Sequence, residues 1–171
     1  MSLVGAIFPD ADLTEVEQFR VQWDPLADSV AAHITIVFPF SEVNDLEALR
    51  TLSMEPFPVR FGTPSLWEGE YLFLTADVGD EHIVDLHRRS YGALQLPLPA
   101  DFVPHMTIGR RPAGSEAKHM LARATGLVVE GWARSMTIYR RHLDGRRTFE
   151  CTVGDGPSSA AGLRDRGLPS G

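Results

Sequence analysis

The sequence predicts an α+β fold with substantial antiparallel strand pairing, and three observations predict it. Strand-like and helix-like segments are interspersed without the regular alternation of a doubly wound parallel sheet. The stretch from Leu127 to Val153 reads as a three-stranded meander, its last two strands joined by a turn containing Asp144-Gly145. A short pattern also occurs twice, as His33-Ile34-Thr35-Ile36 and His105-Met106-Thr107-Ile108. Each copy lies in a predicted strand with a helix soon after it, which suggests two similar lobes related by a pseudo-twofold.

Leu3 to Phe8 is an apolar run closed by Pro9-Asp10, a strand ending in a turn. Asp12 and Glu15 resemble a capping box, and Leu13, Val16 and Phe19 follow at helical spacing. Asp24-Pro25 should end that helix, because a residue before proline is pushed out of the helical region. Ala32 to Phe38 is a β-branched strand that Pro39 is expected to close. Ser41 can cap a helix with Val43, Leu46 and Leu49 on one face. Val59–Phe61 and Tyr71–Val78 read as strands, and Asp80 to Leu94 as a helix lined by Ile83, Leu86 and Tyr91. Phe102 to Gly109 is again a strand, and Ser115 begins a serine-capped helix ending near Gly126. The strands Leu127–Trp132, Ser135–Arg140 and Arg147–Val153 complete the domain. Residues 1–153 are expected to form one two-lobed domain. Of the 18 residues from Gly154 onward, 12 are Gly, Pro, Ser or Ala, so residues 154–171 read as a flexible tail.

The charge of −7 over 171 residues divides unevenly. Residues 1–85 hold three basic and 16 acidic side chains, a balance of −13, whereas residues 86–171 have a balance of +6. An acidic protein is a poor candidate for a long nucleic-acid track, which needs many phosphate contacts. The split leaves room for one local anion site, expected to lean toward the second half of the chain. Cys151 is the only cysteine, which excludes an internal disulfide and a cysteine-based zinc site. No uncharged apolar run approaches the ~20 residues of a bilayer span. No basic residue precedes Arg20, so no secretory signal is expected and a cytoplasmic monomer is the default.

Strand geometry gives the repeated pattern its meaning. Side chains alternate faces with period two. His33 and Thr35 should therefore oppose Ile34, Ile36 and Phe38, and His105 and Thr107 should oppose Met106 and Ile108. Each strand would bury its apolar set and present an imidazole beside a hydroxyl. Opening a cyclic phosphodiester needs a base for attacking water and an acid for the departing sugar oxygen. Histidine, with an ordinary pKa near ~6.5, can fill either role at one pH. The hydroxyls can donate to the non-bridging phosphate oxygens, and neither a metal nor a cofactor is required. Composition alone predicts about 0.35 His-x-Thr triplets in this chain, against the two present.

The two motifs resemble the paired His-x-Thr signatures of the two-histidine (2H) phosphoesterase superfamily, in particular its 2′-5′ RNA ligase-like branch. The run Trp23-Asp24-Pro25 leading into His33-Ile34-Thr35-Ile36-Val37-Phe38-Pro39-Phe40 is close to the form of that branch. The resemblance covers roughly Leu3 to Val153. It implies a bilobal fold in which two antiparallel sheets flank a central cleft, helices outside, with one motif on each side. It also implies 2′,3′-cyclic phosphodiesterase or related 2′-5′ phosphodiester chemistry on a small nucleotide or RNA terminus. His33 and His105 would be acid and base, and Thr35 and Thr107 phosphate ligands. Run backwards, the same chemistry joins RNA ends without ATP. A binding module that keeps the cleft without turnover is the alternative from another class.

Further candidates are Tyr139 and Arg141, which share a face of the strand Ser135–Arg141 and could supply a base platform and a cation. Arg111 falls in phase with His105 and Thr107 if that strand stays extended through Gly109. The structural readings are an edge-strand tyrosine and solvated arginines. Trp67 and Phe40 could line the cleft or fill the core. The remaining histidines are dispersed, with His82 and His87 five apart on one helix, so no metal site is expected.

Overall fold

The structure is a computed structural model that describes residues 2–40, 43–110 and 114–154. Ser41, Arg111 and nearly all of the proposed tail lie outside the described residues. The elements run β1 (Ser2–Ile7), β2 (Asp10–Ala11), α1 (Thr14–Trp23), β3 (Ile34–Phe40), α2 (Val43–Arg50), β4 (Phe57–Trp67) and β5 (Tyr71–Val78). They continue with α3 (Asp80–Ala93), β6 (His105–Arg110), α4 (Ser115–Ala124), β7 (Val129–Ala133), β8 (Met136–Arg141) and β9 (Arg147–Val153). Two antiparallel sheets result, one ordered β3-β1-β8-β9 and the other β2-β7-β4-β5-β6. The α+β class is as the sequence predicts. No described helix is long and apolar enough to cross a membrane.

One core joins the sheets. Leu3, Ile7, Ile34 and Ile36 from the first pack into the same buried cluster as Leu72, Leu74, Met106 and Ile108 from the second. A small separate cluster of Val4, Ala6 and Tyr139, with Phe8 against it, lies on the other face of β1 and β8. β1 is thus apolar throughout because it is buried on both faces.

Helix boundaries follow local chemistry. Asp12 Oδ1 accepts the Thr14 N–H at 2.9 Å and so supports the start of α1, although Glu15 makes no reciprocal cap. The helix ends at Trp23, with Asp24 extended before Pro25. Gly114, not Ser115, occupies the N-cap position of α4. Gly126 takes φ +94° just past its end, a conformation that favours glycine.

Three strand expectations need correction. Pro39 does not close β3, which runs on to Phe40. It is tolerated because β3 is an edge strand, where a missing N–H costs no ladder bond. β4 extends to Trp67, well beyond Phe61, by pairing along β5. The alternation in β3 also breaks. Gly5 and Ala6 on β1 oppose Val37 and Thr35, so Ile36 is an extra residue on β3. Ile36 and Val37 are both buried and Phe38 is exposed, so Phe38 turns to the face of Thr35.

The same device recurs in β6. Leu72 and Phe73 on β5 oppose Gly109 and Thr107, leaving Ile108 as the extra residue. Ile108 and Gly109 are both buried, and a Cβ at Gly109 would lie 2.8 Å from Met120 Sδ. Both motif strands are therefore sheet edges that bulge at the isoleucine after the threonine.

Candidate active site

A cavity of about 330 Å³ is lined by His33, Thr35 and Phe38 from one motif segment and by His105, Thr107 and Arg110 from the other. The bulges explain the matched spacing, because strict alternation would not put the third residue of each set on the cleft face. Arg110 is the motif-strand arginine that the structure places here, and Arg111, the sequence candidate, lies outside the described residues. Tyr139 and Arg141 line the cavity as the sequence suggested, and Arg147, Trp67, Tyr71 and Phe73 join them. Phe40 does not, being buried in the core.

The two histidines are held alike. His33 Nδ1 donates to the Ala31 carbonyl at 2.7 Å, and His105 Nδ1 donates to the Val103 carbonyl at 2.6 Å. Each bond runs to the residue two positions back and assigns the proton of the neutral ring to Nδ1. Nε2 is the nitrogen left for a ligand. Burial pushes the His33 imidazole down from 6.5 to about 4, the Ala31 carbonyl opposes this, and Arg20, Arg147 and Arg110 add to it. Burial also lowers His105, with the Val103 carbonyl opposing and Arg110 contributing. Both rings are therefore neutral in the unliganded protein near pH 7.

Their aromatic neighbours differ. His33 forms a triangle of rings with Phe8, at 5.3 Å between ring centres, and Tyr139, at 6.5 Å and edge-on, which are themselves 6.4 Å apart. His105 stacks on Phe73 at 3.7 Å, and Phe73 in turn neighbours Trp67 and Tyr71. Tyr139 is a buried residue of an interior strand and not the edge-strand tyrosine of the structural reading. Burial raises its hydroxyl pKa, with the charge of Arg147 opposing.

The segment that delivers His33 is anchored by α1. Arg20 NH1 donates to the Val30 carbonyl at 3.0 Å, and Glu17 Oε1 accepts the Ala32 N–H at 2.6 Å. Arg20 also donates to Asp24 Oδ2 through Nε and NH2, at 3.1 and 2.8 Å. Asp24 Oδ1 accepts from Leu26 N–H at 3.0 Å and from Arg110 Nε at 2.9 Å. Burial alone would raise the Asp24 carboxyl. The Arg20 bonds, the Leu26 N–H and the charge of Arg110 outweigh it and hold the group below its ordinary value. Sequence reasoning missed Glu17, Arg20 and Asp24 as a set. The signal was present, since Arg20 falls at helical spacing on the same face as Val16 and Trp23.

The cations do not divide as the chain halves suggested. Arg110 stands on the second sheet, but Arg141 and Arg147 lie on β8 and β9, in the same sheet as His33. The three-stranded meander expected from Leu127 to Val153 does not form: β7 pairs with β4 in the second sheet, while β8 and β9 form a hairpin that pairs with β1 in the first, so a lobe is not a half of the sequence. Among the described residues, no group of three or more His, Cys, Asp or Glu is arranged to hold a metal ion.

Comparison with known proteins agrees with this geometry. E. coli LigT in apo form superposes with a TM-score of 0.62 at 15% identity, covering 90% of this chain and 98% of that one. E. coli LigT complexed with 3′-AMP gives 0.58 at 16% identity, covering 87% and 93%. A further crystal structure, described as a phosphoesterase, gives 0.58 at 14% identity, covering 90% and 99%. No curated protein sequence matches. The model of the 2′-5′ RNA ligase superfamily matches residues 8–145, most of the chain. With two sheets folded as in LigT and that match across both motifs, the chain belongs to the 2′-5′ RNA ligase superfamily.

Proposed function

We propose that this protein is a metal-independent phosphoesterase acting on 2′,3′-cyclic phosphates or 2′-5′ phosphodiester bonds of RNA ends or small nucleotides. The observation that carries the reading is the matched pair His33/Thr35 and His105/Thr107 around one cavity, each imidazole tied through Nδ1 to a backbone carbonyl. Two imidazoles, two hydroxyls and the Arg110 guanidinium form a donor set for an oxyanion. That E. coli LigT has been crystallised with ATP and with 3′-AMP supports a ligand of nucleotide size.

In this mechanism the phosphate lies between the lobes. One imidazole, neutral at Nε2, takes a proton from attacking water as the P–O bond forms. The other, protonated, delivers its Nε2 proton to the departing ribose oxygen as the ring opens. Thr35 and Thr107 donate to non-bridging oxygens, and Arg110 offsets the developing charge. The bound anion supplies the negative charge that raises an imidazole from its low unliganded pKa. The direction of substrate binding assigns acid and base. The same step with a 5′-hydroxyl in place of water as the nucleophile, losing its proton to the base while the 3′-oxygen departs with the acid's proton, joins two ends through a 2′-5′ linkage.

The test is incubation with nucleoside 2′,3′-cyclic monophosphates in excess chelator, with identification of the monophosphate formed. The reading predicts turnover to a single 2′- or 3′-phosphate isomer, unaffected by chelator. Loss of activity in chelator would contradict it. Saturable binding without hydrolysis of any cyclic phosphate or 2′-5′ linkage would favour the binding module instead.

A further inference from the structure

Beside the catalytic cavity lies a second one of about 310 Å³, at the turn of the β8–β9 hairpin. Leu26, Arg141 and Arg147 line both, so the two spaces share a wall that carries two cations. Ser2, His142, Leu143 and Gly145 complete the second cavity, and no carboxylate is among its described lining residues. The carboxylate of the turn, Asp144, accepts from Arg146 Nε at 2.6 Å and does not face the space.

Both guanidiniums are fixed at this boundary. Arg141 stands 4.9 Å over the Phe38 ring, which holds it at the mouth of the catalytic cavity. Arg147 NH1 donates to the Ser29 carbonyl at 3.3 Å and the Gly145 carbonyl at 3.2 Å, which spans it across the wall. A single reacting phosphate already has Thr35, Thr107 and Arg110. Two further arginines exceed what that one group requires, and they face a second volume. That volume offers no Phe, Tyr or Trp for stacking a base. Across the cleft, Trp67, Phe73 and Phe102 line a third cavity of about 310 Å³ beside His105, which holds no arginine among its described lining residues.

We infer that the hairpin cavity is a second phosphate subsite, which takes the phosphate one nucleotide position away from the reacting one. The inference rests on the phosphoesterase reading of the cleft and narrows its substrate. The preferred ligand carries two phosphates separated by a ribose, as an oligonucleotide end or a nucleoside bisphosphate does.

Calorimetric titration with adenosine 3′-monophosphate and adenosine 3′,5′-bisphosphate tests this without turnover. Leu143→Glu places a carboxylate at the rim of the subsite. Leu143 is 95% exposed and outside the catalytic lining, so the change does not disturb packing. The bisphosphate should bind about fivefold or more tightly at low salt, with a steeper salt dependence. Leu143→Glu should remove most of that advantage and leave the monophosphate affinity within about twofold. Equal affinity for the two nucleotides, or an advantage unchanged in Leu143→Glu, would overturn the subsite alone. Failure of either nucleotide to bind would overturn the reading of the cleft together with it.

Discussion

Arg110 Nε donates to Asp24 Oδ1 at 2.9 Å, and this bond ties the second motif strand to the helix end that precedes the first motif. The same carboxylate holds Arg20, which in turn grips the carbonyl three residues before His33. One buried acid therefore helps to set the positions of both a cleft cation and the His33 imidazole. Asp24 is 3% exposed and Arg20 is 1% exposed, so Asp24 depends on Arg20 and Arg110, and Arg20 on Asp24 and Glu17, in place of water.

Replacing Asp24 with Ala should leave the buried Arg20 with Glu17 as its one remaining carboxylate partner and cost about 3–5 kcal/mol, read by urea unfolding. Arg110→Gln should be mild in stability and raise KM for cyclic nucleotides, because Arg110 is partly exposed and faces the cavity. A smaller stability loss for Asp24→Ala than for Arg110→Gln would contradict the network.

The pH dependence follows from the lowered imidazoles. The profile of kcat/KM reports the free enzyme, whose His33 is held at about 4 and whose His105 also lies below 6.5. Its maximum should fall on the acid side of about pH 6.5, while bound phosphate displaces the kcat profile upward. An optimum of kcat/KM well above neutrality would count against the assignment. Stability carries the same sign. The folded state keeps His33 neutral, so its contribution is complete above the ordinary 6.5 and is lost as pH falls through about 4. His33→Gln should flatten the fall in Tm across that window.

The His-x-Thr pairs were legible because the alternation of faces holds from His33 to Ile36 and from His105 to Ile108, before the shift in pairing at each isoleucine takes effect. What lies beyond them was not legible. The extra residues Ile36 and Ile108 are defined against partners on β1 and β5, and no local signal in either segment marks them. That loss of phase turned Phe38 and Arg110 toward the cleft. The sheet membership of β8 and β9 is likewise a long-range pairing, which is why charge counted along the chain misjudged the walls. Helices fared better, since α1 and α3 declare themselves through short-range spacing and the Asp24-Pro25 stop.

The bulge in β3 has its own support. His87 Nδ1 donates to the Ile36 carbonyl at 2.6 Å, and Tyr91 Oη donates to the Phe38 carbonyl at 3.1 Å, so α3 covers the free edge. The His87 ring also stacks on Phe102 at 3.6 Å, next to the residue whose carbonyl holds His105. His87→Leu should cost about 1–3 kcal/mol by stranding the Ile36 carbonyl. It should also raise KM by misplacing Phe38. Tyr91→Phe should cost less, about 0.5–1.5 kcal/mol. Urea midpoints in the reverse order would contradict this role for α3.

The central claim is that His33 and His105 act on one phosphate as a proton-transfer pair. Its most direct measurement is kcat/KM for 2′,3′-cyclic nucleotide hydrolysis by His33→Ala, His105→Ala and the double variant, with folding checked by circular dichroism. Each single change should cost roughly 10²–10⁴-fold, and the double variant should cost far less than the product of the two, because either loss disables the shared step. Folded single variants that retain wild-type activity would contradict the account.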